Sequence, residues 1–231
     1  MRDVVSKALL PFTELFEGKV AWMYLDSAGF VTTAYGNLLR TVDDALSLSW
    51  FWAGNPAKPA TQEEIAWAYS AVARSSAAAA KGHLSVEGLT GIRLSDIGMS
   101  RLLHAKMASN ETLLMKRFIG FEDVPACAQL ALLSWAWAVG TNARFPKMQR
   151  AWNEGKWDLV EKEIYINETL YGPDGKPLLD SHGKPRTNAG LVPRNKANKI
   201  LVANVMPSIY AGNYDILEYE HELPKGNPCA S

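Results

Sequence analysis

Residues 17–39, EGKVAWMYLDSAGFVTTAYGNLL, decide how the rest of the chain is read. Trp22, Tyr24 and Asp26 alternate with other residues in a β-rich run, Ser27-Ala28-Gly29 breaks it, and Phe30 to Tyr35 resumes it: the pattern of a short hairpin. Upstream, Val4, Leu9, Leu10, Phe12 and Phe16 recur at roughly helical spacing, which places Glu17 at a helix C-terminus just before the helix-ending residue Gly18. The helix dipole disfavours a negative charge at that end, so Glu17 is expected to hold a proton near neutral pH, as a general acid must. Asp26, at a strand end beside a polar turn, is expected to stay ionised and able to activate water. Two carboxyls in opposed environments form the acid and base pair of glycoside hydrolysis. Either carboxyl taken alone is more often an ordinary solvated residue.

With 231 residues, 48% hydrophobic and 21% charged, the chain can bury a sizeable core as one large or two small domains. Its 24 basic and 24 acidic residues cancel, leaving no electrostatic footprint for nucleic acid or an anionic membrane. The start, MRDVVSKALLPFTELFEG, has an early Asp and a Pro but no apolar run like that of a secretory leader, so it reads as the first helix of the fold. The protein is therefore expected to be made in the cytoplasm without a signal peptide. The most apolar run, 126–139, contains Gln129 and Ser134 and is too short to span a bilayer, which makes it a core helix. Cys127 within it is expected to be a buried free thiol, and its only companion, Cys229, does not by itself define a disulfide. His104 stands alone on a helix, and His83, His182 and His221 are scattered in loop-like contexts, so neither metal nor other cofactor is expected.

Along the chain, 40–59 reads as loop-rich, its Leu46, Leu48, Trp50, Phe51 and Trp52 forming either a hydrophobic plug or one wall of a glycan cleft. Thr61 with Glu64 is a capping box opening a helix over 63–80 that continues to Gly82. Residues 88–94 read as irregular. Ser95 and Asp96 cap a long helix to about Lys116, with Ile97, Leu102, Leu103, Met107, Leu113 and Leu114 as candidate core positions. Asp123 caps and Pro125 opens the apolar helix, expected to be central and to run through Ala138. Two turn signals within 167–188 predict a hairpin-like insertion or a mobile loop. Beyond Met206 no strong period remains, and the tail is expected to wrap the domain and then fray.

Glu-Gly, eight residues to Asp26, five more to Thr32, then a glycine and Leu-Leu together resemble the active-site signature of the phage-type lysozymes, glycoside hydrolase family 24. The apolar helix ending in a glycine turn, Phe145, Trp157 and Asp158 at family-like spacing, and GLVPR at 190–194 extend the resemblance more loosely. It implies that Glu17, Asp26 and Thr32 are catalytic, that Tyr24, Tyr35, Leu38 and Trp137 contact substrate, and that Arg194 pairs with Glu17. Trp137 reads equally well as plain core, and Arg194 as an exposed helix-start residue. The implied fold is α+β, mostly α and lysozyme-like, as a single catalytic domain over 1–231. Its small lobe would span about 12–60 with the hairpin. A larger helical lobe of about 61–206 plus the first helix would surround the buried central helix, with a tail at 207–231 and a cleft between the lobes. The implied reaction is hydrolysis, with inversion, of the β-1,4 bond between N-acetylmuramic acid and N-acetylglucosamine in peptidoglycan.

Two positions depart from the pattern: Asn37 stands where the family commonly has histidine, and Ala34 where it often has glycine. With the long segment 40–95 and the form Tyr-Leu-Asp-Ser-Ala-Gly, they make the chain look closer to lysozyme-like domains of bacterial cell-wall-attacking toxins, such as type VI secretion effectors, than to a phage endolysin. That likeness implies a monomer acting on glycan strands in the periplasm or on the cell wall, with an immunity protein and a secretion apparatus as partners. A lytic transglycosylase, a chitin hydrolase and a non-catalytic peptidoglycan-binding module stay open as alternatives.

Overall fold

Helix α1 (Asp3–Glu14) turns Val5, Leu9 and Phe12 inward at helical spacing, and the chain then enters strand β1 (Val20–Leu25). The computed structural model describes residues 1–26, 29–75, 82–171, 175–188 and 190–219. It is α+β and mostly α, with two three-stranded sheets among those residues. Its contacts divide into two compact units: Glu17–Lys106, and Met1–Phe16 with the described residues from Met107 on.

In the unit Glu17–Lys106, β1 pairs antiparallel with β2 (Val31–Ala34), which pairs with β3 (Asn37–Leu38). The hairpin expected from the alternation is therefore present, and Val20, Met23 and Leu25 supply its buried face. A second sheet, not foreseen, orders β5 (Asn55–Pro59), β4 (Trp50–Trp52) and β6 (Ile92–Leu94) across 40–59 and 88–94. Its overlooked signal is the two-residue turn Ala53-Gly54, with Gly54 at φ +75°, between the registered pair Trp52 and Asn55. A short helix, α2 (Val42–Leu46), precedes it, and a 3₁₀ turn (His83–Leu89) leads into β6.

Helix α3 (Gln62–Ala73) starts at the expected box: Thr61 Oγ1 accepts from the Glu64 N–H, and Glu64 Oε2 accepts from the Thr61 N–H at 2.8 Å. It ends at Ala73, not near residue 80. Val72 is its last buried side chain, and the Ser75 hydroxyl donates to the Val72 carbonyl, competing with another helical turn. The remainder of the expected extension falls on 76–81, outside the described residues. The Thr61 N–H first, and the Trp52 indole among the weaker causes, hold the Glu64 carboxyl below its ordinary range against a raising effect of desolvation. A carboxyl with a lowered folded pKa stabilises above its unfolded pKa, about 4.3, and loses that contribution as the pH falls through the folded value. Thermal unfolding against pH should accordingly show the wild type's advantage over Glu64→Gln shrinking below about pH 4. An advantage independent of pH would refute this.

Helix α4 (Asp96–Met115) is capped by Ser95, whose Oγ accepts the Gly98 N–H at 3.1 Å. Its buried stripe is Met99, Leu103, Met107 and Leu114, while Ile97 is 66% and Leu113 39% exposed, against expectation. At about 100° per residue, Ile97 lies roughly 200° from Met99, off that stripe.

In the other unit, α5 (Ala126–Val139) is buried from Ala126 to Trp137, the central helix its composition demanded. Pro125 takes its N-cap position and no side chain caps it, so Asp123 does not have the expected role. Helices α1 and α8 (Leu191–Ala203) pack on α5; α7 (Trp157–Glu163) packs between α6 (Pro146–Asn153) and α8, and α9 (Val205–Ala211) packs on α8. Helix α9 corrects the aperiodic reading at the start of the tail, and the described residues to 219 wrap back onto the first helix as expected. Arg2 binds Asp215 at 3.1 Å and Tyr214 through its ring, and Tyr219 meets Phe12 edge-on. Cys127 is a buried free thiol whose pKa burial raises; Cys229 lies outside the described residues. The excursion at 167–188 is paired as expected, for example Thr169 with Thr187 and Leu179 with Pro185. No helix among the described residues is long and apolar enough to cross a membrane. The contacts place 61–106 with the hairpin, where the sequence put the lobe boundary near 60.

Candidate active site

Glu17 begins where α1 has already ended: Leu15 is the C-cap, and Phe16 donates to the Thr13 carbonyl. It thus sits three residues past the helix instead of on its last turn, where the dipole acts most strongly. Its half-buried carboxylate rests beside the turn joining β2 to β3, with Oε2 3.9 Å from where a Cβ would project at Gly36. Gly36 has φ +81°, so a side chain there would strain the backbone, while its Cβ would meet the Glu17 carboxylate at ordinary van der Waals distance.

In the same turn, Ala34 has φ +53°, the one non-glycine at positive φ among the described residues, and it is fully buried. Glycine adopts this backbone conformation at no steric cost, whereas a Cβ there is strained. Ala34→Gly should change stability by no more than about 1 kcal/mol, because strain relief of ~1–2 kcal/mol offsets the lost methyl and the added chain entropy. Ala34→Val, β-branched and overpacked, should lose about 2–4 kcal/mol. Chemical denaturation decides, and a valine variant as stable as the glycine one would refute the strain argument.

Asp26 closes the β1–β2 loop. Its N–H donates to the Phe30 carbonyl at 3.0 Å, and its Oδ1 accepts the Phe30 N–H at 2.9 Å. Gly29, at φ +84°, takes the left-handed position that ends a three-residue hairpin loop. Thr32, buried opposite Tyr24 across the hairpin, donates from Oγ1 to the same Phe30 carbonyl at 3.2 Å. Asp26 and Thr32 are therefore fixed through one residue's backbone, and the Thr32 oxygen keeps lone pairs for an acceptor role. Glu17 and Asp26 lie at opposite ends of β2, whose Val31 and Ala34 Cα atoms are about 10 Å apart at ordinary strand rise.

Tyr24 is half-buried and meets the His83 ring edge-on at 5.9 Å; Trp22 donates to the His83 carbonyl at 3.0 Å and carries the Arg93 guanidinium over its ring. Nothing in the local sequence links His83 or Arg93 to this strand face, since each lies dozens of residues away. Leu38, on the outer strand β3, is exposed. Tyr35 is only 1% exposed, which makes it part of the core and corrects its expected contact with substrate. Asn37 is buried, and its Oδ1 has no hydrogen-bond partner among the described residues.

Trp137 and Arg194 belong to the other unit. Trp137 is 7% exposed on α5, in keeping with the core alternative. Arg194 is buried, not an exposed helix-start residue; it donates to the Ser134 carbonyl at 3.0 Å and lies over the Phe16 ring. Among the described residues no group of three or more His, Cys, Asp or Glu could hold a metal ion. The chain matches no protein-family model and no curated protein.

Proposed function

We propose that the protein is a peptidoglycan hydrolase of the muramidase type. Glu17 protonates the leaving oxygen of the β-1,4 bond, and Asp26, with the Thr32 hydroxyl as an added acceptor, positions and activates water on the opposite face of the sugar. The observation that carries this reading is the anchoring of Asp26 and Thr32 on the Phe30 backbone at one end of β2, with the Glu17 carboxylate at the other. An inverting hydrolase holds its two carboxyls ~6.5–9.5 Å apart to admit a water, a retaining one ~5 Å apart, so the anomeric configuration of the products decides between the two. A transglycosylase needs only the acid, so a second carboxylate tied down by its own loop favours hydrolysis.

Mass spectrometry of fragments released from purified peptidoglycan tests this. Hydrated muramic-acid ends, inverted at the anomeric carbon by NMR, are the expected products. Anhydro ends would instead identify a transglycosylase, and no release at all would leave a glycan-binding module.

A further inference from the structure

The unit Glu17–Lys106 holds a concavity of about 230 Å³, lined by Trp52, Glu63, Glu64, Trp67, Thr90 and Gly91 among others. None of Glu17, Asp26 or Thr32 lines it. The Trp52 indole lies so close to Gly91 that a Cβ there would fall 2.4 Å from its Cζ3, so only glycine admits the ring in this pose. Its Nε1 donates to Glu64 Oε2 at 3.3 Å, which fixes the ring's orientation. Trp67, on the face of α3 that also carries Glu63 and Glu64, leaves 58% of its surface in solvent. Thr90 is 3% exposed, and its hydroxyl has no hydrogen-bond partner among the described residues. A buried hydroxyl left unpaired is unfavourable unless something beyond the chain completes it.

We infer that this concavity is a glycan-retention site that takes one N-acetylated hexosamine of the polymer cleaved at Glu17 and Asp26, an inference that rests on the hydrolase reading. The lining is predominantly apolar, which suits the C–H face of a pyranose and an acetamido methyl laid against two indoles. The Glu63 carboxylate can accept sugar hydroxyls, and the unpaired Thr90 hydroxyl belongs to a residue that borders the same space. A cationic ligand fits less well. The Lys58 ammonium already stands 4.8 Å from the Trp52 ring centroid, and Glu64 already accepts from two N–H groups. Holding the polymer away from the reacting bond keeps the enzyme on an insoluble substrate between cleavages.

The test titrates triacetylchitotriose into the full chain carrying Glu17→Gln, followed by ¹H–¹⁵N spectra. Saturable shifts are expected at the Trp52 and Trp67 indole N–H and the Gly91 amide. Adding Trp67→Ala should weaken that response about tenfold, while Trp67→Phe keeps most of it. Trp67 is largely exposed, so its loss should leave the fold intact, which the remaining spectrum checks. Resonances that stay silent, a response unchanged by Trp67→Ala, or shifts with methylammonium but not with the trisaccharide would each overturn the site. Trp67→Ala in the otherwise wild-type enzyme should also slow digestion of intact sacculi severalfold, with soluble fragments cleaved as before. The two readings fail separately: an inactive chain whose Trp67 titrates loses the hydrolase but keeps a glycan site, and an active chain with a silent Trp67 loses only the retention site.

Discussion

Glu17→Gln is expected to lower the rate of reducing-end release from peptidoglycan by about 10²–10⁴-fold, the range over which a positioned general acid contributes. Glutamine keeps the shape and the neutral charge of the protonated acid, but it has no proton to deliver to the leaving oxygen. Glutamine is isosteric with the acid it replaces, beyond the end of α1 and beside Gly36, so thermal unfolding should move little. Substrate affinity, read by co-sedimentation with sacculi, should be retained, which separates loss of chemistry from loss of binding. A variant with wild-type release would dismiss Glu17 as the acid. Asp26→Asn supplies the companion: it keeps the Phe30 N–H bond through its amide oxygen but cannot take a proton from water. A transglycosylase, which needs no such base, would tolerate that change and lose activity only at Glu17.

Trp135→Ala is expected to cost about 3–5 kcal/mol, the range for removing a large aromatic from a packed interior. Its ring is fully buried on α5 and meets Phe145 edge-on at 4.9 Å and Phe118 at 6.4 Å. Trp135→Phe should be much milder, at about 1–2 kcal/mol. The indole Nε1 has no hydrogen-bond partner among the described residues, so phenylalanine sheds an uncompensated polar group along with the volume. Urea unfolding of the two variants checks the ordering. A phenylalanine variant as damaged as the alanine one would mean that the indole N–H is satisfied after all.

Periodicity and capping chemistry made much of the fold legible. The apolar helix over 126–139 offers no polar face, and from Ala126 to Trp137 it is buried, so it had to be central. Thr61 with Glu64, and Ser95 ahead of Gly98, marked helix starts that the hydrogen bonds bear out. The alternation around Asp26 gave the hairpin, because a period of two is fixed by the pleat alone. Local signals failed where partners distant in sequence decide the outcome. Strand β4 is a strand because Ile92–Leu94 returns to pair with it, and the loop-like reading of 40–59 had no access to that pairing. Alanine propensity argued for a longer α3, but α3 ends at Ala73, where the Ser75 hydroxyl takes the Val72 carbonyl.

The sequence by itself determined that Glu17, Asp26 and Thr32 share one stretch around a hairpin, because their spacing is covalent and the alternation is local. Only the tertiary structure decided which neighbouring side chains are available. Tyr35 is core and Leu38 open although only two residues separate them, since the β2–β3 turn reverses the chain between the two. It alone also brought Trp52, Trp67 and Thr90 around one concavity, by packing a helix and two strand ends whose adjacency no sequence period encodes.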